Sequence, residues 1–380
     1  AIMEANAHTG DDTIFVPTGT YTLTIGGTGE DAAASGDLDI TDSSGKLQIT
    51  GAGADLVTID AGDLDRVIDI HTQANAEITF LALVNGLTTG TDNGGGLRAT
   101  GAQVTLTGIH LTDNESAADG GGLSVTGTSV VTITESRLTD NKATGTDANG
   151  GGLHITRSDP VVTLHHTLVS NNTTTGAGGG IYSEGDLTLD TSVVSNNTAA
   201  TGGGIDAQNR LALVATTVSG NMATAASTGH GGGLNVSGSN VGDRLTIDGS
   251  TISGNQAAAT GGGARIAIRD AAIERSTFSG NSATGNGGGL AADGTSTEVT
   301  LVSNTFTNNT TPQAGGGLFN DNASVWVRNS IVAGNSADGQ HPDVSGLFSS
   351  RSNNLIGERG TGSFSDGLNS DQVGSSDTPI

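Results

Sequence analysis

A run of three glycines returns along most of the chain and constrains its fold more than any other feature. Nine triplets begin at Gly94, Gly120, Gly150, Gly178, Gly202, Gly231, Gly261, Gly287 and Gly315. Successive triplets stand 24 to 30 residues apart, and each is followed by a small or apolar residue such as Leu123 or Ile205. A period of this length that drifts by a few residues is typical of a solenoid, in which each repeat packs only against its neighbours.

A column of asparagines recurs in phase with the glycines. Its members are Asn114, Asn141, Asn172, Asn197, Asn221, Asn255, Asn281, Asn309 and Asn335. Asparagines at the same corner of stacked coils can satisfy one another's amides. Glycine suits corners that need a positive φ or a close approach of two coils. We therefore predict that both columns are structural.

Short apolar alternations between these marks predict three strands in each repeat. Examples from one repeat are Leu123–Val125, Val131–Ile133 and the strand that contains Leu138. Alternation over three to five residues indicates strands with one buried face. The pattern predicts an all-β fold, a right-handed parallel β-helix of the pectate-lyase type. With about 12 or 13 coils at about 4.8 Å each, it would form a rod about 60 Å long.

The regularity of the repeats divides the chain into three regions of one continuous solenoid. Residues 1–93 are predicted to form an N-terminal cap and irregular first coils, because they lack the triplet. Residues 94–335 carry the regular repeats, and residues 336–380 are predicted to form an irregular last coil and tail. Residues 1–7 predict a short helix, which would cover the open end of the core and its unpaired strand edge.

Charge and composition exclude several classes of partner. The chain has 14 basic and 39 acidic residues, a net charge of −25 and no cysteine. Nucleic acids and anionic membranes attract basic surfaces, so neither is a predicted partner. The sequence has no apolar run of about 18 residues, so we predict no membrane insertion.

Two groups of motifs resemble bacterial surface proteins. Residues 1–6, 10–14 and 17–23 look like the start of proteins named for a CSLREA motif, and this chain would begin within that motif. The repeats resemble those of polymorphic outer-membrane proteins, whose Gly-Gly-apolar and Phe-x-x-Asn motifs correspond to Gly316–Leu318 and Phe306–Asn309. The resemblance implies a β-helix in an exported, surface-exposed setting with an adhesin-like or passenger-like role.

A search for catalytic carboxylates finds one candidate column at the end of the second strand. Its members include His165, Asp190, Asp248, Glu274 and Arg328. Adjacent coils lie about 5 Å apart, which would place Asp248 and Glu274 near the separation used by retaining glycosidases. A chain with 39 acids aligns some of them by chance, so a solvated acidic face is the favoured interpretation. We assign no catalytic or cofactor-binding residue, and we predict that the protein is not an enzyme.

Two acidic clusters are candidates for calcium, whose preferred ligands are oxygens. One contains Asp37, Asp39 and Asp42, and the other contains Asp60, Asp63 and Asp65. Neither has the spacing of a known calcium loop. We assign no metal ligand, and calcium stays an open alternative.

The sequence thus favours a structural or adhesive solenoid, extracellular or on a bacterial cell surface, that presents an acidic face. Two alternatives stay open: a polysaccharide lyase or glycoside hydrolase, and a building block of a filament or giant surface protein. The partners that fit are a host or neighbouring cell surface, a polysaccharide, or a second copy joined through the β-helix ends.

Overall fold

The computed structural model describes residues 1–27, 29–156, 159–338, 341–375 and 377–380. It divides into two compact units, Ala1–Val193 and Val194–Ile380. Each unit is a parallel β-solenoid whose coils follow one order. A coil contributes a strand after the glycines to the first sheet, a longer strand to the second sheet and a short strand to the third sheet. A two-residue strand after the asparagine then joins a fourth sheet.

The strands of the first unit pair in parallel with their equivalents in neighbouring coils. Those of the first sheet are Leu38–Ile40, Ile68–Ile70, Leu97–Thr100, Leu123–Thr126, Leu153–Ile155 and Ile181–Ser183. Those of the second sheet are Asp12–Val16, Lys46–Gly51, Asn75–Thr79, Gln103–Thr107, Val130–Thr134, Val161–His165 and Asp186–Asp190. Those of the third sheet are Gly19–Thr22, Val57–Asp60, Ala82–Val84, His110–Thr112, Arg137–Thr139 and Leu168–Ser170. Those of the fourth sheet are Leu87–Thr88, Glu115–Ser116, Lys142–Ala143 and Thr173–Thr174.

The second unit repeats the same four sheets. Those of the first sheet are Ile205–Ala207, Leu234–Gly238, Ala264–Ile268, Leu290–Asp293, Leu318–Asp321 and Val344–Ser345. Those of the second are Leu211–Val214, Leu245–Asp248, Ala271–Glu274, Glu298–Val302, Ser324–Arg328 and Ser349–Ser350. Those of the third are Thr217–Ser219, Thr251–Ser253, Thr277–Ser279, Thr305–Thr307, Ile331–Val332, Leu355–Ile356 and Gln372–Val373, and Val193–Ser195 spans the boundary between the units. Those of the fourth are Thr198–Ala199, Met222–Ala223, Gln256–Ala257, Ser282–Ala283, Thr310–Thr311 and Ser336–Ala337, and a 3-10 turn covers Leu368–Ser370.

The predicted fold class is confirmed. Over the described residues the solenoid makes about 11 turns, close to the 12 or 13 coils predicted, because some coils at the ends lack one or more of the four strands. The fourth, two-residue strand is an addition to the three that the sequence predicted. Its brevity explains the omission, since two residues are too few to show an alternation.

The predicted N-terminal helix is also confirmed, as Ile2–Ala7. Its Asn6 replaces a neighbouring strand: the side-chain amide donates to the Asp39 carbonyl at 2.8 Å, and its oxygen accepts from the Thr41 amide at 3.0 Å. The helix therefore satisfies backbone groups of the first strand in the first sheet, which would otherwise be an open edge.

The three glycines of a triplet have different structural roles, as Gly202–Gly204 show. Gly202 has a φ of +57°, which residues other than glycine rarely adopt. A Cβ on Gly203 would lie 2.4 Å from the backbone carbon of Met222 in the next coil, and a Cβ on Gly204 would lie 2.9 Å from Nδ2 of Asn221. The first glycine therefore serves a backbone turn, and the other two serve close contact between coils.

The asparagine column forms the ladder that the sequence predicted. In the second unit, each Nδ2 donates to Oδ1 of the next asparagine at 2.9–3.0 Å, from Asn197 through Asn335. The last donor, Asn335, meets Oδ1 of Asp343 at 2.8 Å. A carboxylate suits this position because its oxygens accept hydrogen bonds and it has no donor of its own.

A second ladder, which was not predicted from the sequence, lies at the corner before the third sheet. Backbone amides there donate to a side-chain oxygen one coil on: Ser276 to Asn304 at 2.9 Å, and Asn304 to Ser330 at 3.1 Å. It also ends on a carboxylate, where the Asn354 amide donates to Asp371 Oδ1 at 2.9 Å. Serine and asparagine alternate irregularly in this column, so no single residue type marks it in the sequence.

Candidate functional site

The predicted column at the end of the second-sheet strands lies in register. Asp248 and Glu274 are direct partners on adjacent strands. One Arg275 guanidinium serves both, at 2.5 Å from an Asp248 carboxylate oxygen and 3.2 Å from Glu274 Oε2. Arg328 is two strands beyond Glu274 in the same column. The ion pairs of Arg275 lie at the solvent-exposed surface, where such pairs contribute little to stability.

A different column holds several of the buried ionisable groups. The second residue of each first-sheet strand points away from the core, and we call this set the outer column. Its first-unit members are Asp39, Asp69, Arg98, Ser124, His154 and Tyr182, and its second-unit members begin with Asp206, Asn235 and Arg265. The triplet glycines lie against this column, since a Cβ on Gly120 would be 3.1 Å from Ser124 Cβ. Most of these outward side chains are therefore buried.

The N-terminal end of the outer column forms an ion-pair cluster. Arg66 Nη1 lies 2.7 Å from Asp37 Oδ2 and 3.4 Å from Asp69 Oδ2. Arg98 Nε donates to Asp69 Oδ1 at 3.0 Å. Burial raises the pKa of Asp37 to about 7, while the charge of Arg66 opposes the shift. The cluster therefore places several carboxylates out of water and balances them with two guanidinium groups.

This cluster bears on the predicted calcium sites. The structure brings Asp37 and Asp39 together with Asp69, one oxygen of each lying within 4.8 Å of the others. Asp42 instead accepts the Ser44 amide at 2.8 Å. Of the second predicted cluster, Asp60 accepts the Gly62 amide at 2.9 Å. Two guanidinium groups offset part of the charge of these carboxylates, and calcium stays an open alternative.

A stack of aromatic rings follows further along the outer column. The His154 ring lies 5.4 Å from Tyr182 with planes 11° apart, and its Nε2 is 3.6 Å from Asp119 Oδ2. Burial lowers the pKa of His154, and the charge of Asp119 opposes that shift. Neither His154 Nδ1 nor Ser124 Oγ has a hydrogen-bond partner in the described part of the chain. Ser124 and His154 are buried, so their side chains are not accessible to a substrate, whereas Asp119 keeps 29% of its side chain exposed.

In the second unit the outer column forms a chain of polar contacts. Asn235 Nδ2 donates to Asp206 Oδ2 at 2.7 Å, and Arg265 Nη1 donates to Asn235 Oδ1 at 3.3 Å. Arg265 Nε then donates to Asp293 Oδ2 at 2.6 Å. Burial raises the pKa of Asp206 to about 6, while Asn235 and Arg265 act in the opposite direction. The arrangement holds a buried carboxyl group whose ionisation costs free energy.

We expect Asp206→Asn to raise stability at neutral pH and to flatten its pH dependence. The unfolded carboxyl releases its proton near the ordinary pKa of 3.8, whereas the folded one keeps it until about 6. The folded state therefore binds more protons between these values, and the wild type loses stability as pH rises through that window. The difference of about two pKa units corresponds to roughly 3 kcal/mol at most. The substituted side chain keeps an amide oxygen that can still accept from Asn235.

The measurement is the thermal unfolding midpoint at pH 4.5 and at pH 7.5. The unfolding midpoint of the variant should be higher than that of the wild type at pH 7.5 and should differ little from it at pH 4.5. Asp270→Asn is the matched control, because Asp270 is an exposed carboxylate whose basic partner, Arg244, is exposed too. An equal shift of both variants at both pH values would contradict the assignment.

No pattern in the sequence indicates that the outer column is buried. A polar residue stands between two apolar ones after several of the triplets, as in Ile205–Ala207 and Leu234–Val236. Strand alternation predicts that such a residue is exposed. Its burial comes from the turns and side chains around it, which alternation does not describe.

Comparison with known proteins identifies the repeats. Residues 166–184 and 275–293 match the model of the Chlamydia polymorphic membrane protein repeat. Each stretch runs from the third-sheet strand through the ladder asparagine and the triplet to the next first-sheet strand. The chain is therefore similar to the polymorphic membrane protein repeat at two places, as the motifs predicted.

Solved structures are similar to this chain. The catalytic unit of a thermostable GH87 α-1,3-glucanase from Streptomyces thermodiastaticus strain HF3-3 matches with a TM-score of 0.53 at 14% identity, over 96% of this chain and 65% of that one. The A-module of the mannuronan C-5 epimerase AlgE6 of Azotobacter vinelandii has a TM-score of 0.42 at 12% identity, over 93% of this chain and 86% of that one. This chain thus spans less than two thirds of the glucanase unit, and the likeness concerns the fold alone. No curated protein sequence matches.

Among the described residues, no helix combines the length and the hydropathy that crossing a bilayer requires.

Proposed function

We propose that this chain is an exported bacterial surface protein whose solenoid has a structural and adhesive role. The observation that carries the proposal is the pair of polymorphic membrane protein repeats, each spanning the ladder asparagine and the glycine triplet. Repeats of this kind point to a place at the outer surface of the cell. The net charge of −25 gives the protein an acidic face toward its surroundings.

The geometry of the ionisable groups supports a role without catalysis. Among the buried carboxyl groups, Asp37 and Asp69 contact arginine side chains and Asp206 contacts Asn235. The partly exposed Asp248 and Glu274 share Arg275, which balances part of their charge. A general acid and a nucleophile need different pKa values and access to a substrate.

Two experiments test this proposal. Antibodies against the chain should label intact, unpermeabilised cells of the source bacterium. Beads coated with the purified protein should adhere to cell surfaces more than beads coated with a neutral globular protein. Absence of both labelling and adhesion would overturn the proposal.

A second candidate function is a carbohydrate-active enzyme. The observation in its favour is that Asp248 and Glu274 are paired in register on neighbouring strands, whose backbones lie about 4.8 Å apart. Retaining glycosidases use carboxyl groups about 5 Å apart. Screening neutral and acidic polysaccharides for new reducing ends or unsaturated products tests it. Cleavage that Asp248→Asn abolishes would support the enzyme, whereas no cleavage of any substrate would reject it.

A third candidate is a building block of a larger assembly. The edge strand Asp12–Val16 carries Phe15, which is 77% exposed, and such an edge can pair with another chain. Light scattering over a concentration series decides this alternative. A mass that stays monomeric at high concentration, with no change in Phe15→Lys, would exclude assembly through this edge.

A further inference from the structure

An open groove of about 600 Å³ runs along the fourth sheet of the second unit. It is lined by the first residues of five successive two-residue strands and by the residues that follow those strands. The first residues are Met222, Gln256, Ser282, Thr310 and Ser336. The groove lies outside the outer column and outside the Asp248 column.

Polar groups recur in this groove once per coil. Gln256 pairs in register with Ser282, Ser282 with Thr310, and Thr310 with Ser336. Within the described residues, these four side chains have no hydrogen-bond partner. Neighbouring coils are about 4.8 Å apart, so the groove presents a row of donors and acceptors at that spacing.

The groove is nearly neutral in a strongly acidic protein. Among the described residues that line it, Asp338 is the single charged one, and it follows the last of the five strands. The chain as a whole carries a net charge of −25. In the first unit the same column contains Glu115 and Lys142 instead. A neutral polar lining favours a neutral ligand that makes many hydrogen bonds, because an anionic one would be repelled by the rest of the chain.

We propose that this groove binds a neutral linear glycan. The inference rests on the adhesive function proposed above and names the chemistry of the surface that would be recognised. One sugar ring of an extended glycan is about as long as a coil is high, so successive sugars can meet successive coils. An extended peptide advances about 3.4 Å per residue, so its residues would no longer align with successive coils. The described lining of the groove includes no aromatic ring for stacking, so binding depends on hydrogen bonds and strengthens with glycan length.

The test is titration of the whole chain with linear β-1,4- and β-1,3-linked glucan oligosaccharides of two and six sugars, followed by calorimetry or NMR. A hexasaccharide should bind at least about tenfold more tightly than the disaccharide. Binding should be unchanged between low and high salt, since the ligand has no charge to screen. Thr310→Glu should weaken hexasaccharide binding by about tenfold or more, because it removes a hydroxyl from the row and places a longer side chain in the groove.

Thr173→Glu is the matched control, because Thr173 has the same place in a two-residue strand of the first unit and is exposed. It should leave binding unchanged. Both sites are exposed, so both variants should keep the unfolding midpoint of the wild type.

Three results would overturn the proposal: no saturable binding of either hexasaccharide at millimolar concentration, equal binding by wild type and Thr310→Glu, or tighter binding of an oligogalacturonate or an extended peptide. Bead adhesion separates this inference from the proposed function. Adhesion that survives Thr310→Glu would reject the groove and keep the adhesive role, whereas wild-type beads that do not adhere would reject the role itself.

Discussion

Gly203→Val is expected to lower the stability of the second unit by roughly 3–5 kcal/mol, one of the largest effects available in this chain. A Cβ at this position would lie 2.4 and 2.6 Å from backbone atoms of Met222 and 2.5 Å from the Gly232 carbonyl oxygen. These contacts involve backbone in the next coil, so no side-chain rotation can relieve them. The coils would have to separate, which breaks the hydrogen bond from the Gly203 amide to the Gly231 carbonyl at 3.1 Å.

The measurement combines the thermal unfolding midpoint with amide hydrogen exchange. Loss of protection should concentrate around Met222–Ala223 and the adjoining triplets. Gly249→Asn is the control: Gly249 also has a positive φ, of +57°, but its Cβ position meets nothing within 4 Å, and asparagine tolerates this conformation. If Gly203→Val unfolds at the wild-type temperature with normal exchange, close coil contact does not explain the second glycine.

Asn255→Asp is expected to destabilise the second unit by about 4 kcal/mol or more at pH 8, although the two side chains have nearly the same shape. Asn255 Nδ2 donates to Asn281 Oδ1 at 2.9 Å and to the Val218 carbonyl at 3.0 Å. Aspartate would direct an oxygen at both acceptors. Its other oxygen would still accept from Asn221. The substitution therefore removes the hydrogen bonds that Asn255 donates and keeps the one that it accepts.

Acidification supplies a second readout for this variant. Burial would raise the pKa of an aspartate here above its value in the unfolded chain. The folded state would then bind the extra proton, so the stability lost at pH 8 should return in part as pH falls. Asn240→Asp is the control, since Asn240 is exposed and outside the ladder. Equal unfolding midpoints for Asn255→Asp and Asn240→Asp at pH 8 would contradict the ladder as described.

In both ladders of the second unit, the last described asparagine contacts a carboxylate. Asp343 Oδ1 accepts from Nδ2 of Asn335 at 2.8 Å, and Asp371 Oδ1 accepts from the backbone amide of Asn354 at 2.9 Å. A carboxylate fits these positions because its oxygens only accept hydrogen bonds.

Much of the fold could be read from the sequence because each coil repeats the same local demands. The triplet and the ladder asparagine are marked by single residue types at a nearly fixed interval, since only glycine permits the contact made by Gly203 and only an amide can both donate and accept along the column. The register of Asp248 and Glu274 followed from the same spacing. The short third and fourth strands, and the ladder of mixed serine and asparagine, are harder to predict from the sequence because no single residue type marks them.

The site was less predictable because its contacts join residues whose relation is not periodic. Asp37 meets Arg66 through segments of the irregular first coils, and Arg275 reaches Asp248 across one coil from a turn. The outer column has a polar residue in nearly every coil, yet the residue type changes each time. Alternation alone would place Asp206 in water, where its carboxyl would keep an ordinary pKa.

The sequence by itself determined that the chain forms stacked parallel coils, which corners need glycine and which need asparagine, and that the chain is acidic. These features depend on backbone geometry and hydrogen bonding inside a repeat and between neighbours, so they recur at the period of the fold. Only the tertiary structure decided which carboxylates are buried, which arginines pair with them and where a nearly neutral groove opens. Those properties depend on turns of unequal length packed against the sheets, and the burial they create has no period for a sequence to reveal.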